Sequence, residues 1–153
     1  MSRIRQKLDE LGIVIPQVAA PAGSYLPAIT HGNVVYTSGQ LPFRDGELAA
    51  TGKVGAEVTL EQAQELAQLA ALNCLAAVKQ QLGAIDRVTR ILKVTVYVNS
   101  AAGFVQQPQV ANGASDFFGA IFGDAGRHVR SAVGVAELPL DSPVEIEIAV
   151  AFE

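Results

Sequence analysis

Hydrophobic residues change their spacing several times along this chain. Near the N-terminus, Ile4, Leu8 and Leu11 recur at helical spacing, and Gly12 ends the run. Residues 13–30 hold Pro16, Pro21, Gly23 and Pro27, so they read as an extended segment with turns. Val34, Val35, Tyr36 and Thr37 are β-formers bounded by Gly32-Asn33 and Gly39, which predicts a short strand. Residues 43–57 mix glycines with polar side chains and predict a loop or short hairpin. Thr59-Leu60-Glu61-Gln62 then fits a capping box. No Gly or Pro interrupts the stretch that follows until Gly83. Leu60, Ala63, Ala67, Ala70, Cys74 and Val78 line one face of the helix it predicts.

Residues 88–99 switch to period two: Val94, Val96 and Val98 alternate with Lys93, Thr95, Tyr97 and Asn99. A second helix is predicted over 108–122, where Val110, Ala114, Phe117, Phe118 and Ile121 share a face and Gly123 follows. Two strands close the chain, from Val129 to Ala136 and from Val144 to Phe152. In the last, Val144, Ile146, Ile148, Val150 and Phe152 alternate with Glu145, Glu147, Ala149, Ala151 and Glu153. The order is β, long helix, β, helix, β, β. Two helices that follow strands can pack on one face of a mixed sheet. The other face, partly apolar, would then need cover.

The length of 153 residues suits one domain, preceded by a helix and extended segment over residues 1–20. Charged residues make up 17% of a chain that is 50% hydrophobic. A monomer must solvate its whole surface, so this composition favours a homo-oligomer that hides part of it. The net charge of −4 and the scattered Lys and Arg residues offer no footprint for nucleic acid. No apolar run is long enough to span a membrane. The single cysteine, Cys74, and the charged start MSRIRQKLDELG favour a cytoplasmic setting. Cys74 lies in the apolar stripe and reads as a small core residue. With two widely spaced histidines, it makes no metal signature.

Few residues are candidates for chemistry. Arg130 sits on or just before a strand among small and apolar neighbours. Its planar fork matches a carboxylate, so it either closes a structural salt bridge or faces a cleft. Glu145 and Glu147 stand on the polar side of the last strand, either as solvated carboxylates or as acceptors for a proton from water. Thr37 and Ser38 precede Gly39, where hydroxyls can reach a ligand or cap a turn. A serine-protease arrangement is absent, since no nucleophile elbow surrounds Ser38. His31 and His128 flank strand starts, where solvation in loops is the expectation.

Taken together, GNVVYTSGQLP, then VTVYVN, then RSAVGVAELPLDSPVEIEI resemble the RidA family, also called YjgF/YER057c/UK114 or L-PSP. The most specific part is an arginine and serine, alternating apolar residues, Leu-Pro and an acidic β-strand. The resemblance covers about residues 21–152, and the longer N-terminus is similar to a bacterial branch of the family. It implies a chorismate mutase-like α+β fold and a homotrimer, with sheets in a barrel-like centre, helices outside and clefts between subunits. It implies hydrolysis of 2-imino and enamine acids, of the 2-aminoacrylate and 2-iminobutanoate type, to 2-keto acids and ammonia. No metal, flavin or pyridoxal phosphate is implied. By position, Arg130 corresponds to the arginine that binds the substrate carboxylate and Glu145 to the glutamate that orients or activates water. Tyr25, Ser38 and Asn112 correspond to further substrate-binding residues. Three departures bear on the side-chain pocket. Ala132 stands where the family often has cysteine, His128-Val129 precede the arginine, and the loop from Gly46 to Gly55 differs in length.

The alternative is a non-catalytic protein that binds or senses 2-keto acids in the same intersubunit cleft. It would need Arg130 but not Glu145. RNA cleavage, associated with the L-PSP label, fits poorly with the acidic balance and the lack of a His pair.

Overall fold

In the computed structural model, residues 2–153 are described. Helix α1 (Arg3–Glu10) starts where the Ser2 hydroxyl accepts the Arg5 N–H, and its Leu8 is buried. The chain then runs extended to a hairpin of β1 (Ala28–His31) and β2 (Val34–Thr37), turning at Gly32-Asn33. A two-residue hairpin follows, β3 (Phe43–Arg44) and β4 (Glu47–Leu48), within the region expected to be a loop or short hairpin. Strand β1 is a departure from the expectation, which placed residues 28–30 in an extended segment with turns and named no strand there. Only Ala28 of its four residues is buried, so no alternation marks it.

Helix α2 (Leu60–Leu82) has its capping box in full. Gln62 N–H donates to Thr59 Oγ1 at 3.1 Å, and Thr59 N–H donates to Gln62 Oε1 at 2.9 Å. Gly83 ends it in the left-handed region at φ 84°. Ala63, Ala67, Ala70, Cys74 and Val78 are fully buried, as their spacing predicts. Leu66, Ala71, Leu75 and Ala77 are buried too, and α3 (Gln107–Phe122) packs alongside. That packing requires Gly113: a Cβ there would stand 2.1 Å from the Gln64 carbonyl oxygen.

The main sheet has the order β1-β2-β7-β5-β6, with β5 (Val88–Asn99), β6 (Val129–Val135) and β7 (Val144–Phe152). All its pairs are antiparallel except β5 with β6, which α3 joins by a crossover. The register puts Thr37, Ile148, Val94 and Arg130 in one row across the sheet. Val35, Val94, Val96, Val98, Ile146 and Val150 are fully buried on the helix-bearing face. Burying such a side chain contributes about 1.5–3 kcal/mol, which makes this face the principal stabiliser of the fold. The opposite face carries Tyr36, Lys93, Thr95, Tyr97, Glu145, Glu147 and Ala149. Ile29, Tyr36, Val129 and Val133 are exposed there, so this face is partly apolar and uncovered in the single chain. Among the described residues, no helix is long and apolar enough to cross a membrane.

Candidate active site

The guanidinium of Arg130 is set by strand parity. Arg130 is the second residue of β6, and its neighbours Val129 and Ser131 face away from the helices. Its own side chain therefore runs over the edge of the sheet towards α3. There Nη1 donates to Asn112 Oδ1 at 2.8 Å and to Ser115 Oγ at 3.1 Å. Asn112 and Ser115 lie one turn apart on the same helix face. The ion pairs among the described residues are Arg5–Asp86, Lys7–Glu10 and Lys53–Glu137, and none involves Arg130. Its cation is half-buried against neutral acceptors, with no carboxylate to balance it.

Glu145 lies on the opposite face of the sheet. It alternates with Val144 and Ile146, whose side chains are buried beneath the helices. The backbone of Gly39 runs directly beneath its carboxylate, and a Cβ at Gly39 would meet Glu145 Oε2 at 2.5 Å. Gly39 is fixed by Ser38 N–H donating to Pro27 O at 2.8 Å and Gln40 N–H donating to Ile146 O at 2.7 Å. Burial pushes the Glu145 carboxyl above its ordinary value, and the nearby charge of Glu147 adds to the rise. Glu147 itself accepts a hydrogen bond from the Tyr97 hydroxyl. That bond, reinforced by burial and the two carboxylates, holds the Tyr97 phenol up at about 12. The last strand thus carries two carboxylates of different character: Glu147 tied to a phenol, and Glu145 beside Gly39 with no side-chain hydrogen-bond partner among the described residues.

Glu145 and Gly39 open onto a cavity of about 920 Å³, whose other walls include Val18, Tyr25, Leu72 and Leu140. Tyr25 is half exposed there, and its hydroxyl accepts the Ala22 N–H at 3.3 Å. Ser38 does not present a free hydroxyl to this space. Its Oγ donates to Leu26 O at 2.5 Å, so it anchors the segment that carries Tyr25.

The five expected site residues thus form two groups. Tyr25 and Glu145 line the cavity and Ser38 anchors the segment that carries Tyr25, while Arg130 and Asn112 meet at the edge strand. Val94 pairs with both Arg130 and Ile148, and Tyr97 pairs with both Val133 and Glu145. Arg130 and Glu145 are therefore two strands and three residues apart, roughly 14 Å between Cα atoms by standard sheet spacings. A molecule the size of a short 2-imino acid cannot touch both within one chain.

Two neighbours of Arg130 were not anticipated. Ser115 follows Asn112 by one turn, and His128 precedes Arg130 by two residues, which puts it on the same side of the strand. His128 is not a solvated loop residue as expected. It is half-buried, its ring stands nearly perpendicular to that of Phe118 with centroids 6.1 Å apart, and both ring nitrogens are hydrogen bonded. The i+3 and i−2 spacings were the available signals.

Residues 5–150 match the family described as "YjgF/chorismate mutase-like, putative endoribonuclease". Protein TCP17 of Trypanosoma cruzi is 42% identical over 149 residues, 97% of this chain and 93% of that protein. A 2-iminobutanoate/2-iminopropanoate deaminase of Dermatophagoides farinae is 31% identical over 141 residues, 92% of this chain and 95% of the relative. The crystal structure of Atu1372 from Agrobacterium tumefaciens superimposes with a TM-score of 0.91 at 41% identity, covering 99% of this chain and 93% of that one. The mixed sheet with its helices on one face is accordingly the chorismate mutase-like α+β fold, and the chain belongs to the YjgF/RutC family.

Proposed function

We propose that this chain hydrolyses short 2-imino and enamine acids to 2-keto acids and ammonia, within a homotrimer whose clefts set Arg130 of one subunit against Glu145 of the next. The observation that carries this reading is the unbalanced guanidinium of Arg130. Neutral acceptors occupy only Nη1, which leaves Nε and Nη2 to meet a carboxylate as a fork. The roughly 14 Å between the two groups in one chain, and the uncovered sheet face, are reasons to complete the site with a second copy. The relative named as a 2-iminobutanoate/2-iminopropanoate deaminase supports the substrate class.

In this reading Arg130 holds the substrate carboxylate, and Glu145 accepts a proton from a water that attacks the imine carbon. The resulting carbinolamine takes that proton on nitrogen, its hydroxyl gives its own proton back to Glu145 as ammonia leaves, and the carbonyl of the 2-keto acid forms. Water supplies the oxygen, and no electrons change hands. Holding the reactants in place can remove several kcal/mol of the barrier, out of a maximum of roughly 7–11.

The test couples the protein to a threonine dehydratase and follows 2-ketobutyrate. Arg130→Ala removes two charge-assisted hydrogen bonds, worth about 3 kcal/mol together, and should cut kcat/KM by more than about 100-fold. A folded Arg130→Ala protein with full activity would end the proposal.

A further inference from the structure

We propose that His128 and Ser115 are positioning residues that orient Arg130, by a hydrogen-bond chain in which every donor has one acceptor. This rests on the reading of Arg130 as the carboxylate grip. The chain begins at the Gly126 carbonyl, 2.7 Å from His128 Nδ1. A carbonyl can only accept, so Nδ1 carries the proton. In the neutral ring Nε2 then has a lone pair, and Ser115 Oγ stands 2.9 Å from it. The serine hydroxyl donates to Nε2 and turns its own lone pairs towards Arg130, whose Nη1 donates to it at 3.1 Å. The second Nη1 hydrogen goes to Asn112 Oδ1 at 2.8 Å.

Two consequences follow. Both hydrogens of Nη1 are committed, so a carboxylate meets Arg130 side-on, through Nε–H and one Nη2–H. The orientation of that fork also depends on a residue that touches no substrate. Without the acceptor at Nε2, the serine hydroxyl must find another partner. A helical serine then turns to solvent or to the carbonyl one turn back, and the oxygen that receives Nη1 moves with it. The Phe118 ring, nearly perpendicular to the imidazole, limits its swing.

Nitrogen-15 NMR of the unliganded wild-type protein reads the tautomer directly. A neutral ring protonated on Nδ1 is expected, and a ring protonated on Nε2 overturns the inference. Kinetics then ask whether the chain acts on the grip. His128→Phe and Ser115→Ala should each raise KM for 2-iminobutanoate and Kd for 2-ketobutyrate up to about tenfold, the worth of one such hydrogen bond, with kcat little changed. His128→Gln, which offers an oxygen near the place of Nε2, and Ser115→Thr should restore binding. A general structural defect would instead lower kcat and the melting temperature together, and the conservative variants would not rescue it selectively. Should His128→Phe fail to fold, Ser115→Ala carries the test alone. Folded variants with wild-type KM and Kd refute the inference. The two readings fail separately. A wild-type protein inert towards imines and 2-ketobutyrate overturns the deaminase reading, while an active one with an Nε2–H ring overturns only this one.

Discussion

Replacing Gly39 by alanine perturbs one contact and little else. The new Cβ would lie 2.5 Å from Glu145 Oε2, 2.8 Å from its Cδ and 3.1 Å from its Cγ. Ordinary van der Waals contact begins near 3.4 Å, so carboxylate or backbone must retreat by roughly 1 Å. The backbone on either side is pinned by the Ser38–Pro27 and Gln40–Ile146 hydrogen bonds, so the side chain is the part that yields. Gly39 is not in the left-handed region, and alanine is tolerated there without backbone strain. Removing a glycine even stabilises by about 0.4–1 kcal/mol through the unfolded chain. A displacement of about 1 Å at a reacting group can cost up to about 100-fold in rate. Gly39→Ala should therefore fold with a melting temperature near or above that of the wild type, yet lose one to two orders of magnitude in kcat. The dehydratase-coupled assay and a thermal melt monitored by circular dichroism measure both. Gly119→Ala is the control, because a Cβ there meets nothing within 4 Å. It should keep full activity and gain up to about 1 kcal/mol of helix stability. A folded Gly39→Ala protein with wild-type kcat would refute the placement of Glu145 at the reacting centre.

Other expectations are as direct. Glu145→Gln should abolish turnover but keep 2-ketobutyrate binding, measured on one preparation; a variant that still turns over would refute Glu145 as the proton acceptor, and a wild type that binds 2-ketobutyrate without turnover would leave only the binding-and-sensing role. Because the Glu145 carboxyl is raised in the folded state, its contribution to stability is fully present below the unfolded value. It is lost as pH rises through the raised one. Activity, which needs the carboxylate, should appear across the same rise, and urea denaturation of Glu145→Gln should lack this pH dependence. Thr59→Ala removes the α2 capping box and should cost about 1 kcal/mol, about 3 °C in melting temperature; an unchanged melt would contradict the capping geometry. Cys74 is fully buried, its thiol is pushed up by burial, and its Sγ lies 3.2 Å from the Ile146 carbonyl oxygen as a donor. It should resist Ellman's reagent in the native state and react on unfolding.

The elements that bury one side were legible in the sequence. Strand β7 alternates so regularly that its ends matched the structure, and α2 announced itself by Thr59, Gln62 and Gly83. Strand β1 was hidden because an edge strand with one buried residue carries no period. The site was legible only by position. Arg130 could have closed a salt bridge or faced a cleft, and the structure places it against uncharged Asn112 and Ser115 instead. Glu145 and Glu147 share one face and could not be ranked from spacing. The difference between them comes from Tyr97, which sits opposite Glu145 yet reaches diagonally to Glu147, and from Gly39. These are contacts between segments far apart in the chain, which local pattern does not encode. His128 had the same obstacle, since its role depends on a helix residue 13 positions earlier.

Strand β7 presents its carboxylate on the side of the sheet that Arg130 of β6 has left. In the ring proposed above, damage to either group would consequently be shared and repairable. A subunit without the guanidinium and a neighbour without the carboxylate still contribute complementary halves to one boundary, so two dead proteins would regain partial activity when co-assembled. The ring as a whole, rather than the individual polypeptide, would be the unit that natural variation can break or mend.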